Sequence, residues 1–145
     1  MWGPERVGYR VSPNSAGYSM SDSDPVATFS YFAERLSALG IGYLHVFEAI
    51  AGPNKTPEHL PRVTPFLRKA FAGTLIVNGG YDAQSAESAL QSGAADLVAF
   101  GVPFLANPDL VGRLRAGAPL NTPDFSTLFQ GEERGYTDYP VLGAG

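Results

Sequence analysis

A regular alternation of short β-rich runs and capped helix patterns constrains this chain more than any other feature. Thr74-Leu75-Ile76-Val77-Asn78 and Leu97-Val98-Ala99-Phe100 are nearly continuous apolar runs, the pattern of strands covered on both faces. Val7-Gly8-Tyr9-Arg10-Val11 and Tyr43-Leu44-His45-Val46-Phe47 read as two further strands. Asp24-Pro25 supplies an N-cap and a first-turn proline; Phe29, Phe32 and Leu36 then recur at helical spacing until Gly40. A shorter helix pattern runs from Pro65 to Phe71 and ends at Gly73. Asp82 caps a third helix, which turns Ala86, Ala89 and Leu90 inward and stops at Gly93. Asn107-Pro108-Asp109 starts a fourth, with Leu110, Val111 and Leu114 on one side and Gly117 beyond. The order β-α-β-α-β-α-β-α predicts a parallel sheet with helical crossovers. Two architectures fit: a compact doubly wound sheet, or half of a (β/α)₈ barrel, a fold of about 250 residues. A first strand so soon after Met1, with nothing ahead of it to cover an edge, favours the half-barrel.

Composition narrows the function classes. The 145 residues suffice for one domain with a modest core, and 44% hydrophobic with 17% charged residues fits a globular chain. A net charge of -4 offers no basic footprint, so nucleic acid is not an expected partner. There are no cysteines, which excludes disulfides, thiolate metal sites and a cysteine nucleophile. His45 and His59 are too few for a histidine-rich metal site, and no metal is expected. No apolar run reaches membrane-span length and the N-terminus lacks a signal-peptide pattern, so no membrane is expected and the predicted address is the cytoplasm.

In both architectures ligands sit at the carboxyl ends of the strands. The third strand ends in Asn78-Gly79-Gly80 and the fourth in Phe100-Gly101. Backbone amides at such glycines can face a phosphate with no Cβ in the way, although glycines serve tight turns equally well. Arg10 alternates with Tyr9 and Val11, which places it on the face shared by Gly8 and Ser12. At the mouth of a sheet its charge needs an anionic partner, and the residues alone point to an ion pair with Glu48. His45 reads as a hydrogen-bonded structural histidine and His59 as an exposed one. In the tail, Tyr139 reads as packing and Tyr136, beside a glycine, as a residue able to lean over a ligand. The stretch SPNSAGYSMSDSDP reads as a flexible strand-to-helix loop whose bulky residues are Tyr18 and Met20.

Five separated motifs, RVGYRVSP, GIGYLHVFEA, LIVNGGYD, LVAFGVPFLANPDLVGRL and GYTDYP, resemble the C-terminal half of the Old Yellow Enzyme family in order and spacing. That family comprises FMN-dependent, NAD(P)H-consuming ene-reductases on a (β/α)₈ barrel. The resemblance implies barrel strands five to eight, with residues 1–118 as four βα units and 119–145 as a tail over the barrel and its substrate rim. It assigns Arg10 to the flavin pyrimidine edge, where a cation stabilises negative charge on the reduced ring. It assigns Asn78, Gly79 and Gly80, and likewise Phe100, Gly101 and Val102, to the two loops that approach the FMN phosphate. Tyr18 and Tyr136 fall at positions lining the substrate pocket.

Two departures accompany the resemblance. At Val102 the family pattern has an arginine that clamps the phosphate. Strands one to four, with the His-Asn or His-His pair that polarises the substrate carbonyl and the tyrosine proton donor, lie outside this sequence, so no catalytic residue is assigned in this half. The resemblance therefore implies a complementary N-terminal half-barrel, or self-association, before a small activated alkene can be reduced. The competing expectation is a truncated or engineered half-barrel acting as a non-catalytic assembly module or weak flavin binder, because an open half-barrel exposes two sheet edges.

Overall fold

A computed structural model describes residues 2–15, 21–52, 54–128, 130 and 132–143. The chain divides into two compact units, Met1–Ala99 and Phe100–Gly145.

The first unit contains β1 (Gly8–Val11), α1 (Pro25–Ala38), β2 (Tyr43–Phe47), α2 (Thr64–Ala70), β3 (Thr74–Asn78), α3 (Ala83–Gln91) and β4 (Leu97–Ala99). A single 3-10 turn at Pro4–Arg6 precedes β1. The strands form one parallel sheet in the order β1-β2-β3-β4. Helix starts follow from the sequence punctuation. Asp24 accepts the Ala27 N–H at 3.0 Å ahead of Pro25, and Asp82 with Ser85 closes a reciprocal capping box at the start of α3.

One face of this sheet is a packed core. Val11, Leu44, Val46, Leu75 and Val77 alternate onto it and meet Ala33 and Leu36 of α1, Val63 and Leu67 at α2, and Phe71. The expectation that β3 and β4 would be covered on both faces is met on this face alone. Ile76 and Leu97 stand opposite each other on the other face, and Leu97 is 52% exposed. Among the described residues Leu90 is also exposed rather than inward. It is the last apolar residue of a helix that buries only Ala86 and packs on the short terminal strand β4.

The second unit contains α4 (Val102–Ala106) and α5 (Leu110–Ala116), followed by the tail. Helix α4 comes before the fourth helix that the sequence pattern predicts. Its five residues are too few to show a helical period, and Pro103 in its first turn is the only local signal. On α5, Leu110 is buried while Val111 is exposed, so the apolar side is narrower than expected. The tail is tied down by polar groups rather than by apolar packing. Arg113, 4% exposed, donates to Asp109 Oδ1 at 2.7 Å and to the Pro119 and Pro140 carbonyls at 2.7 and 2.8 Å. Buried Asn107 accepts the Asn121 N–H and donates to the Pro103 carbonyl.

Candidate cofactor site

The carboxyl ends of the strands gather the sequence-predicted residues of the first unit. Register sets three cross-strand rows on the open face: Gly8, Tyr43 and Thr74; then Arg10, His45, Ile76 and Leu97; then Phe47, Asn78 and Ala99. Tyr9 faces the other way, edge-on to Phe32 of α1 at 5.1 Å, so alternation places Arg10 on the open face as expected.

The expected Arg10–Glu48 ion pair is not formed. Glu48 is 2% exposed and wholly engaged elsewhere. It accepts from the Val63 N–H at 2.7 Å, the Thr64 N–H at 2.9 Å, Thr64 Oγ1 at 2.6 Å and Asn14 Nδ2 at 3.0 Å. Arg62 Nε lies 3.0 Å from its Oε2. Burial, the largest single influence, pushes its pKa up. The hydrogen bonds from Thr64 and Val63, together with Arg62, more than offset this, and the carboxyl sits below its ordinary value. A carboxylate satisfied so completely by the start of α2 has no capacity left for β1.

Arg10 therefore keeps an exposed guanidinium that pairs with no carboxylate among the described residues. Its Nη2 donates to Asn78 Oδ1 at 3.4 Å, and its Cζ stands 5.5 Å from the centre of the Phe47 ring. Sequence reading missed both side-chain contacts, although alternation on β2 and β3 puts Phe47 and Asn78 on the Arg10 face.

His45 does not find the hydrogen bond expected of a structural histidine. Its Nε2 is buried without a partner among the described residues, and burial first, then neighbouring Arg10, hold its pKa below 6.5. An NMR titration of the His45 ring is accordingly expected to give a midpoint under 6.5. In Arg10→Gln the midpoint should rise but stay short of that value, because burial, the larger cause, remains. The unfolded chain takes up this proton first, so the His45 contribution to stability declines as pH drops from 6.5 through the folded-state pKa. A wild-type midpoint at or above 6.5 would contradict this environment.

Beyond Asn78 the chain turns sharply. Gly79 and Gly80 both have positive φ, +119° and +72°. A Cβ on Gly79 would stand 2.7 Å from Ala49 Cα, and one on Gly80 2.4 Å from the Ala51 carbonyl oxygen. These glycines are thus required by close packing on the segment after β2, where the Ile50 N–H also donates to the Gly79 carbonyl at 2.9 Å. The N–H groups of Gly79 and Gly80 themselves donate to no carbonyl among the described residues. Gly101 differs: its φ is -95° and nothing lies within 4 Å of a Cβ built there. Phe100 and Val102 are half-buried in the second unit. In the tail, Tyr139 Oη accepts the Asp124 N–H at 2.7 Å, and Tyr136 is half-buried beside Gly135. Tyr18 lies outside the described residues.

The site can hold an anionic or electron-rich edge against Arg10 and leave the two glycine N–H groups for further acceptors. It fits the pyrimidine edge of a flavin on the strength of the uncompensated guanidinium.

A parallel series of βα units with a cation and a glycine turn at the strand ends defines an α/β protein whose ligand chemistry lies at the carboxyl edge of its sheet. The model of the NADH:flavin oxidoreductase / NADH oxidase family matches residues 1–121, and the chain belongs to that family, the FMN-dependent oxidoreductases of Old Yellow Enzyme type. It is 43% identical over 148 residues to putative 12-oxophytodienoate reductase 12 of Oryza sativa subsp. japonica, covering 97% of this chain and 36% of that protein. It is 39% identical over 145 residues to a probable flavin mononucleotide-dependent alkene reductase of Leishmania infantum, covering 97% and 37%. The structure of the old yellow enzyme homologue from Zymomonas mobilis, a (β/α)₈ barrel, matches with a TM-score of 0.89 at 39% identity, over 97% of this chain and 39% of that one. The chain spans well under half the length of these proteins. Among the described residues no helix is long and apolar enough to cross a membrane.

Proposed function

We propose that this chain supplies the flavin-side half of an FMN-dependent ene-reductase, with residues 1–118 as barrel strands five to eight and their helices, and 119–145 over the barrel and its substrate rim. Bound FMN would carry hydride from NAD(P)H to the β-carbon of an activated alkene. Arg10 stabilises negative charge at the pyrimidine edge of the ring. Asn78, Gly79 and Gly80 belong to one phosphate-facing loop; Phe100, Gly101 and Val102 are assigned to the other by the family resemblance alone. Tyr18 and Tyr136 are assigned to the substrate mouth in the same way. The observation that carries the reading is Arg10: an exposed guanidinium on the open face whose expected carboxylate partner is fully engaged elsewhere.

Catalysis then requires a complementary N-terminal half-barrel, or a second copy, to cover the open face. The test adds FMN to the purified chain, follows flavin fluorescence and molecular mass, and then adds an N-terminal half from a relative. A yellow heterodimer that oxidises NAD(P)H with an activated alkene is the expected result. A colourless, inert homo-oligomer would instead favour the assembly-module reading.

Val102 gives a sharper expectation. An arginine to a phosphate contributes about 1.5–3 kcal/mol net, so Val102→Arg should tighten FMN roughly ten- to a hundredfold. Fluorescence titration of the two forms checks this, and equal affinities would remove residue 102 from the phosphate loop.

A further inference from the structure

Asn78 was singled out for its place before two glycines, yet its side chain points to a different task. Its Nδ2 donates to the Ala99 carbonyl of β4 at 2.6 Å, and its Oδ1 accepts from Arg10 Nη2 of β1 at 3.4 Å. The two partners fix the orientation of the amide. A carbonyl oxygen can only accept and a guanidinium can only donate, so a single amide orientation satisfies both. Ala99 thereby turns the Asn78 oxygen toward Arg10. Phe47, in register with Asn78 on the intervening strand, holds its ring 5.5 Å from the guanidinium carbon. His45, in register with Arg10, adds no competing carboxylate. Three strands, β2, β3 and β4, thus contribute a group to the placement of one cation on β1, which would otherwise sample many rotamers.

We propose that Asn78 is a positioning residue: its side chain holds the Arg10 guanidinium at the mouth of the sheet, aimed at the cofactor's electron-rich edge, and that side chain acts on the cofactor only through Arg10. The final clause rests on the flavin reading above; the coupling between Asn78 and Arg10 does not. No other residue type does both jobs at this length. Aspartate keeps the acceptor but loses the donor to Ala99, and alanine loses both.

The coupling is read first in the ¹⁵N-labelled chain. Asn78→Ala should speed water exchange of the Arg10 Nη protons about fivefold. Asn78→Asp, which retains an acceptor, should restore slow exchange, and Arg10→Gln should shift the Asn78 Nδ2 resonances. Unchanged Arg10 exchange in Asn78→Ala overturns the proposal. Should that variant fail to fold, unmoved Asn78 resonances in Arg10→Gln overturn it instead. FMN titration of the assembled protein then isolates the functional clause. Asn78→Ala should weaken binding about fivefold beside Arg10 and cause no further loss in the Arg10→Gln background. Independent, additive losses overturn the positioning role. Failure of every form to bind FMN overturns the flavin reading, while the exchange rates still decide whether Asn78 holds Arg10.

Discussion

Gly79→Ala and Gly80→Ala are each expected to destabilise the sheet unit by about 2–6 kcal/mol, the sum of backbone strain at positive φ and overpacking. The overlap cannot be relieved by a side-chain rotation. The atoms in the way are Ala49 Cα and N for the first glycine and the Ala51 backbone for the second. Either alanine must therefore push the segment after β2 away from β3 or flip the turn itself. Two other glycines calibrate the effect. Gly93 also has positive φ, +71°, but nothing lies within 4 Å of its added Cβ, so Gly93→Ala should cost only the left-handed strain, about 1–2 kcal/mol. Gly101 has neither restriction, and Gly101→Ala should stay within about 0.5 kcal/mol of the parent. Urea unfolding of the four variants gives the ordering directly. A Gly79→Ala variant no weaker than Gly93→Ala would mean that the turn is looser than its geometry indicates. The same experiment bears on function: a flipped turn redirects the Gly79 and Gly80 N–H groups, so FMN affinity should fall for both variants in the assembled protein.

How much of this was legible in the sequence depended on whether the determining contact was local. Apart from α4, strand and helix limits came out nearly residue for residue, because Asp24-Pro25, Asp82 and the glycines that end the helices act within one turn of chain. The placement of Arg10 on the open face followed from alternation alone. Its partner did not. The pairing with Glu48 failed because Thr64, Val63 and Arg62 come back from the far end of a long loop, and no periodicity announces that return. The Arg10–Asn78 contact spans 68 residues and depends on β2 lying between their strands, so it required the sheet order as well as the face. Sequence left Gly79 and Gly80 open between a phosphate turn and a tight turn, and packing on Ala49 and Ala51 demands glycine at both. Gly101, read the same way, has no such demand on its conformation.

Glu48→Ala is expected to destabilise the first unit by about 3–5 kcal/mol, the cost of leaving several buried donors without their charged acceptor. The carboxylate joins Asn14, after β1, to Arg62 and the Val63 and Thr64 N–H groups at the start of α2. Removing it strands two buried N–H donors and a hydroxyl. Glu48→Gln should recover only part of the loss. Its amide places an NH₂ where Val63 or Thr64 offers a donor, so one of the two hydrogen bonds is replaced by a repulsion. Acid provides an independent check. The folded-state pKa of Glu48 lies below the ordinary 4.5, so its stabilisation is complete above that value and is lost as pH falls through the folded-state pKa. The parent chain should therefore lose stability on acidification more steeply than Glu48→Ala, which has already forfeited this group. Parallel stability-against-pH curves for the two chains would show instead that Glu48 is protonated, or solvated, in the folded state. The consequence reaches the carboxyl end of β1 through Asn14, a non-glycine residue held at φ 59° whose amide bridges Glu48 and the Pro61 carbonyl. Once the carboxylate is gone, nothing but the Pro61 carbonyl holds that amide in place. The backbone three residues beyond Val11 should then relax, and amide exchange at Ser12, Asn14 and Ser15 should accelerate before the core strands open.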